Sequence, residues 1–149
     1  MLNRRTFVGL LAASPLLASP AFAASPETFA VDGLAIRGTD PVAYFDEMGP
    51  VMGTSDHSLM WKGAQWQFAS ADNLAKFEAD PDSYAPQYGG YCAYAMSKGA
   101  IATSDPEAWT IYEGKLYLNY SKTVRKIWFG DIPGNIALAD GNWPDALNS

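Results

Sequence analysis

The chain of 149 residues carries ten Lys and Arg against sixteen Asp and Glu, a net charge of −6, and such an acidic surface repels phosphate backbones, which excludes nucleic acid as the expected partner. Its one cysteine, Cys92, rules out an internal disulfide and a CxxC redox pair. With an N-terminal leader set aside, 126 residues remain, one domain's worth of chain and enough for a core without covalent staples.

The leader is read from residues 1–23. Arg4-Arg5-Thr6-Phe7 opens a positive n-region, an apolar run follows over residues 8–18, and Ala21-Phe22-Ala23 gives the small-x-small pattern of a cleavage site. Paired arginines ahead of a short apolar run are the mark of the twin-arginine (Tat) route, which exports folded proteins. The run is broken by Ser14 and Pro15 and is shorter than the roughly 20 residues that span a bilayer. The mature chain, residues 24–149, is therefore expected in the periplasm, not embedded in a membrane, with a net charge of −8 once Arg4 and Arg5 are gone.

Along the mature chain, Asp40-Pro41 predicts a helix start, Asp as N-cap and Pro at the first helical position, followed by Val42, Ala43, Tyr44 and Phe45. Gly49-Pro50 and Gly53 end that helix. Leu59 and Trp61, then Trp66 and Phe68 beyond Gly63, alternate with polar neighbours and predict a hairpin with one apolar face. Ser70 caps a helix with Ala71, Leu74, Ala75 and Phe77 at helical spacing, stopped before Pro81. A second hairpin runs through residues 109–112, turns at Glu113-Gly114 and returns through Leu116 to Tyr120. Ser121 then caps a helix with Val124, Ile127 and Trp128 inward and Lys122, Arg125 and Lys126 outward. One more short helix is expected through Ile136 to Ala139. The sum is an α+β fold: a single small domain with a small antiparallel sheet of hairpins packed by short helices.

Few residues can carry chemistry. Cys92 follows Gly89-Gly90 and is placed to open a helical turn through Met96. A cysteine at a helix N-terminus faces the positive end of the dipole, which favours thiolate. Three roles are open to it: a redox nucleophile toward peroxide or a partner thiol protein, a soft ligand for Cu(I), or an inert buried apolar residue. His57 is the one histidine, in the stretch ahead of the first hairpin, a solvated loop residue or a base or second ligand for Cys92. Met96 lies one turn past Cys92, and Met48, Met52 and Met60 surround His57. A Cys, a His and a Met would suit copper, although Met is also ordinary core filler. Tyr88, Tyr91 and Tyr94 are candidate donors to a thiolate or members of the aromatic core, whereas Asp80 and Asp82 beside Pro81 belong to helix-end and turn chemistry.

Several of these blocks resemble a known family. Gly38-Thr39-Asp40-Pro41-Val42-Ala43-Tyr44-Phe45, the hairpin from Trp61 to Phe68, and Ser70-Ala71-Asp72-Asn73 with Phe77, Pro81 and Tyr84 resemble a YHS domain. Tyr84-Ala85-Pro86-Gln87-Tyr88-Gly89-Gly90-Tyr91-Cys92-Ala93-Tyr94-Ala95, Gly114-Lys115-Leu116-Tyr117-Leu118-Asn119-Tyr120 and Asn142-Trp143-Pro144 are similar to its exported (seleno)protein branch. The resemblance covers nearly all of residues 24–149. It implies metal handling, copper included, and it implies that Cys92 stands where some relatives carry selenocysteine, a residue suited to nucleophilic, redox or soft-metal work. The chain departs from the metal-handling pattern after the first hairpin, where Phe68-Ala69-Ser70 holds no cysteine. With the resemblance, Cys92, His57 and Met96 form the expected metal site with copper as candidate ion. Cys92 as a redox nucleophile is the alternative, and a non-catalytic interaction module the third reading.

Overall fold

The computed structural model describes residues 24–47 and 49–149; the leader assigned to residues 1–23, and Met48 among the candidate ligands, lie outside the described residues. Strands β1 (Ala30–Val31) and β2 (Leu34–Ala35) form a small hairpin ahead of helix α1 (Ala43–Glu47). Strands β3 (Thr54–Trp61) and β4 (Ala64–Phe68) follow, then helices α2 (Ala71–Ala79), α3 (Pro81–Tyr84) and α4 (Ala93–Ser97). The hairpin of β5 (Asp105–Tyr112) and β6 (Lys115–Asn119) precedes α5 (Lys122–Trp128) and α6 (Ile132–Asn142). The α+β class and both long hairpins follow the sequence reading.

The three hairpins share one turn chemistry. Asp32-Gly33, Lys62-Gly63 and Glu113-Gly114 each place two consecutive residues at positive φ, 53° and 81°, 46° and 79°, 49° and 77°. Two left-handed residues in a two-residue loop match the right-handed twist of the flanking strands, and glycine takes the second position without steric cost. The β1–β2 hairpin carries this signal but too few apolar residues to show alternation, and the sequence reading omitted it.

The sheet is mixed, where a purely antiparallel one was expected. Its order is β1-β2-β4-β3, and β2 runs parallel to β4, with Leu34 opposite Gln65. The β5–β6 pair forms a separate two-stranded sheet. In β4 the alternation is strict: Ala64, Trp66 and Phe68 are buried and join Phe77, Val42 and Tyr44 in one apolar cluster. In β6, Leu116 and Leu118 face that cluster, while Tyr117, one residue out of phase, enters a second cluster with Tyr88, Met96, Trp128 and Ala139. The hairpin is thus buried on both sides. Ile101 and Trp143 pack against both clusters and join them.

Capping followed the sequence closely. Asp40 Oδ1 accepts from Val42 N at 2.8 Å and Ala43 N at 3.2 Å, Ser70 Oγ from Asn73 N at 3.1 Å, and Ser121 Oγ from Val124 N at 3.1 Å. The outward and inward faces of α5 need correction. Trp128 is fully buried, but Ile127 is 52% exposed, and Arg125 turns back so that its Nε donates to Thr110 Oγ1 at 3.0 Å. The last helix is longer than expected. Asp131 Oδ1 accepts from Gly134 N at 3.0 Å, and Asn135 Nδ2 donates to the Trp128 carbonyl at 3.0 Å, so α6 is anchored despite its glycines.

Candidate functional site

Cys92 is delivered by a backbone that few sequences tolerate. Tyr88, Gly89 and Gly90 have φ of 59°, 64° and 88°, three left-handed residues in a row. A Cβ at Gly89 would fall on the Glu27 carbonyl oxygen, and one at Gly90 would sit 2.6 Å from Ile36 Cγ2, so both positions need glycine for closeness as well as for φ. The loop is then clamped. Phe29 N donates to Gly89 O at 2.9 Å, Ser104 Oγ to Gly90 O at 2.6 Å, and Cys92 N to Ala102 O at 3.0 Å.

From there Cys92 is the N-cap of α4, as expected. Its Sγ accepts from Ala95 N at 3.5 Å and lies 3.5 Å from Asn119 Oδ1, to which the thiol donates. Asn119 reaches it because it shares the β6 face of Tyr117, two residues earlier. The orientation of the Asn119 amide is set by Tyr94 N, which donates to Oδ1 at 2.9 Å. Nδ2 of the same amide is then left buried with no partner among the described residues, although Asn119 is 0% exposed. Such a group costs about 1–3 kcal/mol in desolvation. Cys92 itself is 1% exposed, and none of the principal clefts is lined by it.

Of the other expected members, only Met96 shares an element with Cys92. His57 lies within β3, not in a loop ahead of it, next to the irregularity between Thr54 and Ser58. β3 is one of the two outer strands of the four-stranded sheet, whereas Cys92 packs on the β5–β6 hairpin. Met96 is fully buried among Ala93, Tyr117, Trp128 and Ala139, and its carbonyl accepts from Asn142 Nδ2 at 2.8 Å. Met52 and Met60 are exposed at 63% and 70%. Among the described residues no group of three or more His, Cys, Asp or Glu side chains gathers to hold a metal. His57 on β3 and Cys92 against β6 thus belong to different sheets, whereas Met96 lies in the helix that Cys92 caps.

The three tyrosines also have other partners. Tyr88 OH donates to Asp140 Oδ1 at 2.8 Å and Tyr91 OH to Pro26 O at 2.7 Å, and burial raises the pKa of both phenols. Tyr94 contributes its backbone N–H to Asn119 and lies under the Lys98 ammonium, 5.2 Å from its ring centre. Asp80 and Asp82 sit at a helix end, Asp80 between α2 and α3 with its Oδ2 accepting from Ser83 Oγ at 2.6 Å and Asp82 in the first turn of α3.

Two residues matter that sequence reasoning did not assign. Asn119 is one, a polar residue at a position whose period places it inside. Asp40 is the other: expected only as a cap, it is fully buried, and its second oxygen accepts from Ala69 N and Asn73 Nδ2, each at 2.8 Å. It thereby ties α1 to the start of α2. No protein family, curated protein or solved structure matches the chain. No helix among the described residues is long and apolar enough to cross a membrane.

Proposed function

We propose that the chain is an exported, periplasmic YHS-type domain whose Cys92 is a single-thiol redox centre. The observation that supports this reading is the pair formed by Cys92 Sγ and Asn119. The sulfur receives an N–H at the start of α4, and beside it lies an amide whose oxygen is taken by Tyr94 N and whose Nδ2 has no acceptor among the described residues. In the reaction the Cys92 thiolate attacks the terminal oxygen of a peroxide. An S–O bond forms, the O–O bond breaks, and the leaving alkoxide or hydroxide takes up the proton that the thiol gave up, so that an alcohol or water departs and a sulfenic acid remains on Cys92. The new oxygen is an acceptor, and the neighbouring Asn119 amide carries the donor to meet it. A partner thiolate then attacks the sulfur, the S–O bond breaks, hydroxide leaves as water, and a mixed disulfide remains. Burial of Cys92 restricts the first step to peroxide-sized oxidants, and the second requires the loop from Tyr88 to Cys92 to open.

The test is intact-mass analysis after brief peroxide treatment in the presence of a sulfenic-acid-trapping dione. One adduct is expected in the native protein and none in Cys92→Ser. A native thiol that stays unmodified while the urea-unfolded chain reacts would make Cys92 a structural residue and end the proposal. Copper bound by the purified protein and absent from Cys92→Ser would replace the redox reading with a soft-metal one.

A further inference from the structure

We propose that the cleft between the N-terminal segment, the β3–β4 turn and the Tyr88 loop binds a small organic cation of the alkylammonium class. The cleft has a volume of about 140 Å³, room for one small organic molecule, and it is separate from Cys92. Trp61 and Trp143, both partly exposed, and the buried Trp66 line it, together with Glu27 and Asp82. Aromatic faces beside carboxylates attract cations through the ring quadrupole and charge together.

The wall already holds one ammonium of its own. Lys62 Nζ sits 4.7 Å from the Trp61 ring centre and 3.4 Å from Glu27 Oε1. The buried polar groups of the lining are committed elsewhere: Trp66 Nε1 donates to Trp61 O at 3.0 Å, Thr28 Oγ1 to Lys62 O at 2.9 Å, and Tyr88 OH to Asp140. What remains for an incoming molecule is therefore the half-buried indoles of Trp61 and Trp143 and the charge of Asp82, which is joined to no cation among the described residues, while Lys62 engages the Trp61 face and Glu27. Gly89 lets the Glu27 backbone come close to the Tyr88 loop, because a Cβ there would fall on the Glu27 carbonyl oxygen and press on Trp143 Cη2 at 3.2 Å. The acidic balance of the whole chain raises the local concentration of cations further.

The proposal also makes Lys62 an internal competitor for the same aromatic face. Lys62 occupies the first, left-handed position of its turn, which asparagine tolerates, so Lys62→Asn removes the charge and keeps the backbone.

The experiment follows the tryptophan indole resonances of the full protein during titration with tetramethylammonium chloride. Sodium chloride at matched ionic strength, glucose, and neopentyl alcohol, a neutral molecule of similar size and branching, are the controls. Saturable shifts with a Kd on the order of 1 mM are expected, a weak affinity suited to a small ligand. Glu27→Gln and Asp82→Asn should each weaken binding, and Lys62→Asn should tighten it about fivefold. Shifts no different from those with sodium chloride would overturn the proposal. So would equal binding of neopentyl alcohol or of glucose, which would make the cleft apolar or carbohydrate-directed. A Lys62→Asn variant with unchanged or weaker affinity would also overturn it.

Discussion

At Asp40 a single carboxylate does the work of four separate contacts. It is fully buried, and each oxygen accepts two N–H groups, from Val42, Ala43, Ala69 and Asn73. Asp40→Asn keeps the shape but turns one end of the group into a donor facing donors. A loss of about 3 kcal/mol is expected, seen as a lower urea midpoint at unchanged m. Cys92 and Asn119 show the same rule on another scale of cost. Where a buried polar atom is satisfied it positions an element, and where it is not, as at Asn119 Nδ2, its orientation must be held by neighbours. The cap at Asp40 was legible because Asp-Pro is a local signal. Its second pair of contacts was not, since Ala69 and Asn73 are roughly thirty residues away and join it only when β4 and α2 pack.

Among the elements, helices begin where the side chains of single residues close the first turn. Ser70, Cys92, Ser121 and Asp131 each accept an N–H three residues on. Ser121→Ala is expected to cost about 1 kcal/mol, measured as a shift in the denaturant midpoint, because it leaves the Val124 N–H unpaired at the start of α5. The strands depend instead on their turns. Asp-Gly, Lys-Gly and Glu-Gly pairs supply the left-handed geometry that two-residue hairpins require. Where spacing misled, the cause was packing. Ile127 lies at a position that periodicity assigns to the core, yet α5 is docked through Trp128, and its Arg125 reaches back to Thr110. His57 was placed in a loop because β3 lacks alternation over its first residues, where the strand is irregular and exposed.

For the whole molecule, the two sheets are joined by burial rather than by hydrogen bonds. Leu116 and Leu118 on one face of β6 and Tyr117 on the other enter the two apolar clusters, so neither cluster is complete without the hairpin. Burial also shapes the response to alkali. Desolvation raises the pKa of Tyr44, Tyr88 and Tyr91, and it pushes Tyr117 up to about 12, helped by the charges of Asp140 and Glu113. A phenol whose folded pKa exceeds its unfolded value holds its proton more tightly when folded. Its contribution to stability is therefore complete below about pH 10 and declines as the pH climbs toward the folded value. The protein is expected to lose stability steadily from about pH 10 to 12, with tyrosinate absorbance lagging behind that of the urea-unfolded chain over the same range. Absorbance that coincided in the two states would remove burial as the cause.

What the sequence determined by itself is whatever depends on a few adjacent residues. That includes the class of fold, the positions of both long hairpins, the caps at Asp40, Ser70 and Ser121, and the placing of Cys92 at the start of a helix. Each is set by backbone preference or by a contact within four residues, so the information is local. The tertiary structure alone decided the parallel pairing of β2 with β4, the placing of His57 on an outer strand away from Cys92's packing partners, and the approach of Asn119 to the sulfur. Those are contacts between residues far apart in the chain, and they exist only because burying the two faces of β6 brings α4 against it.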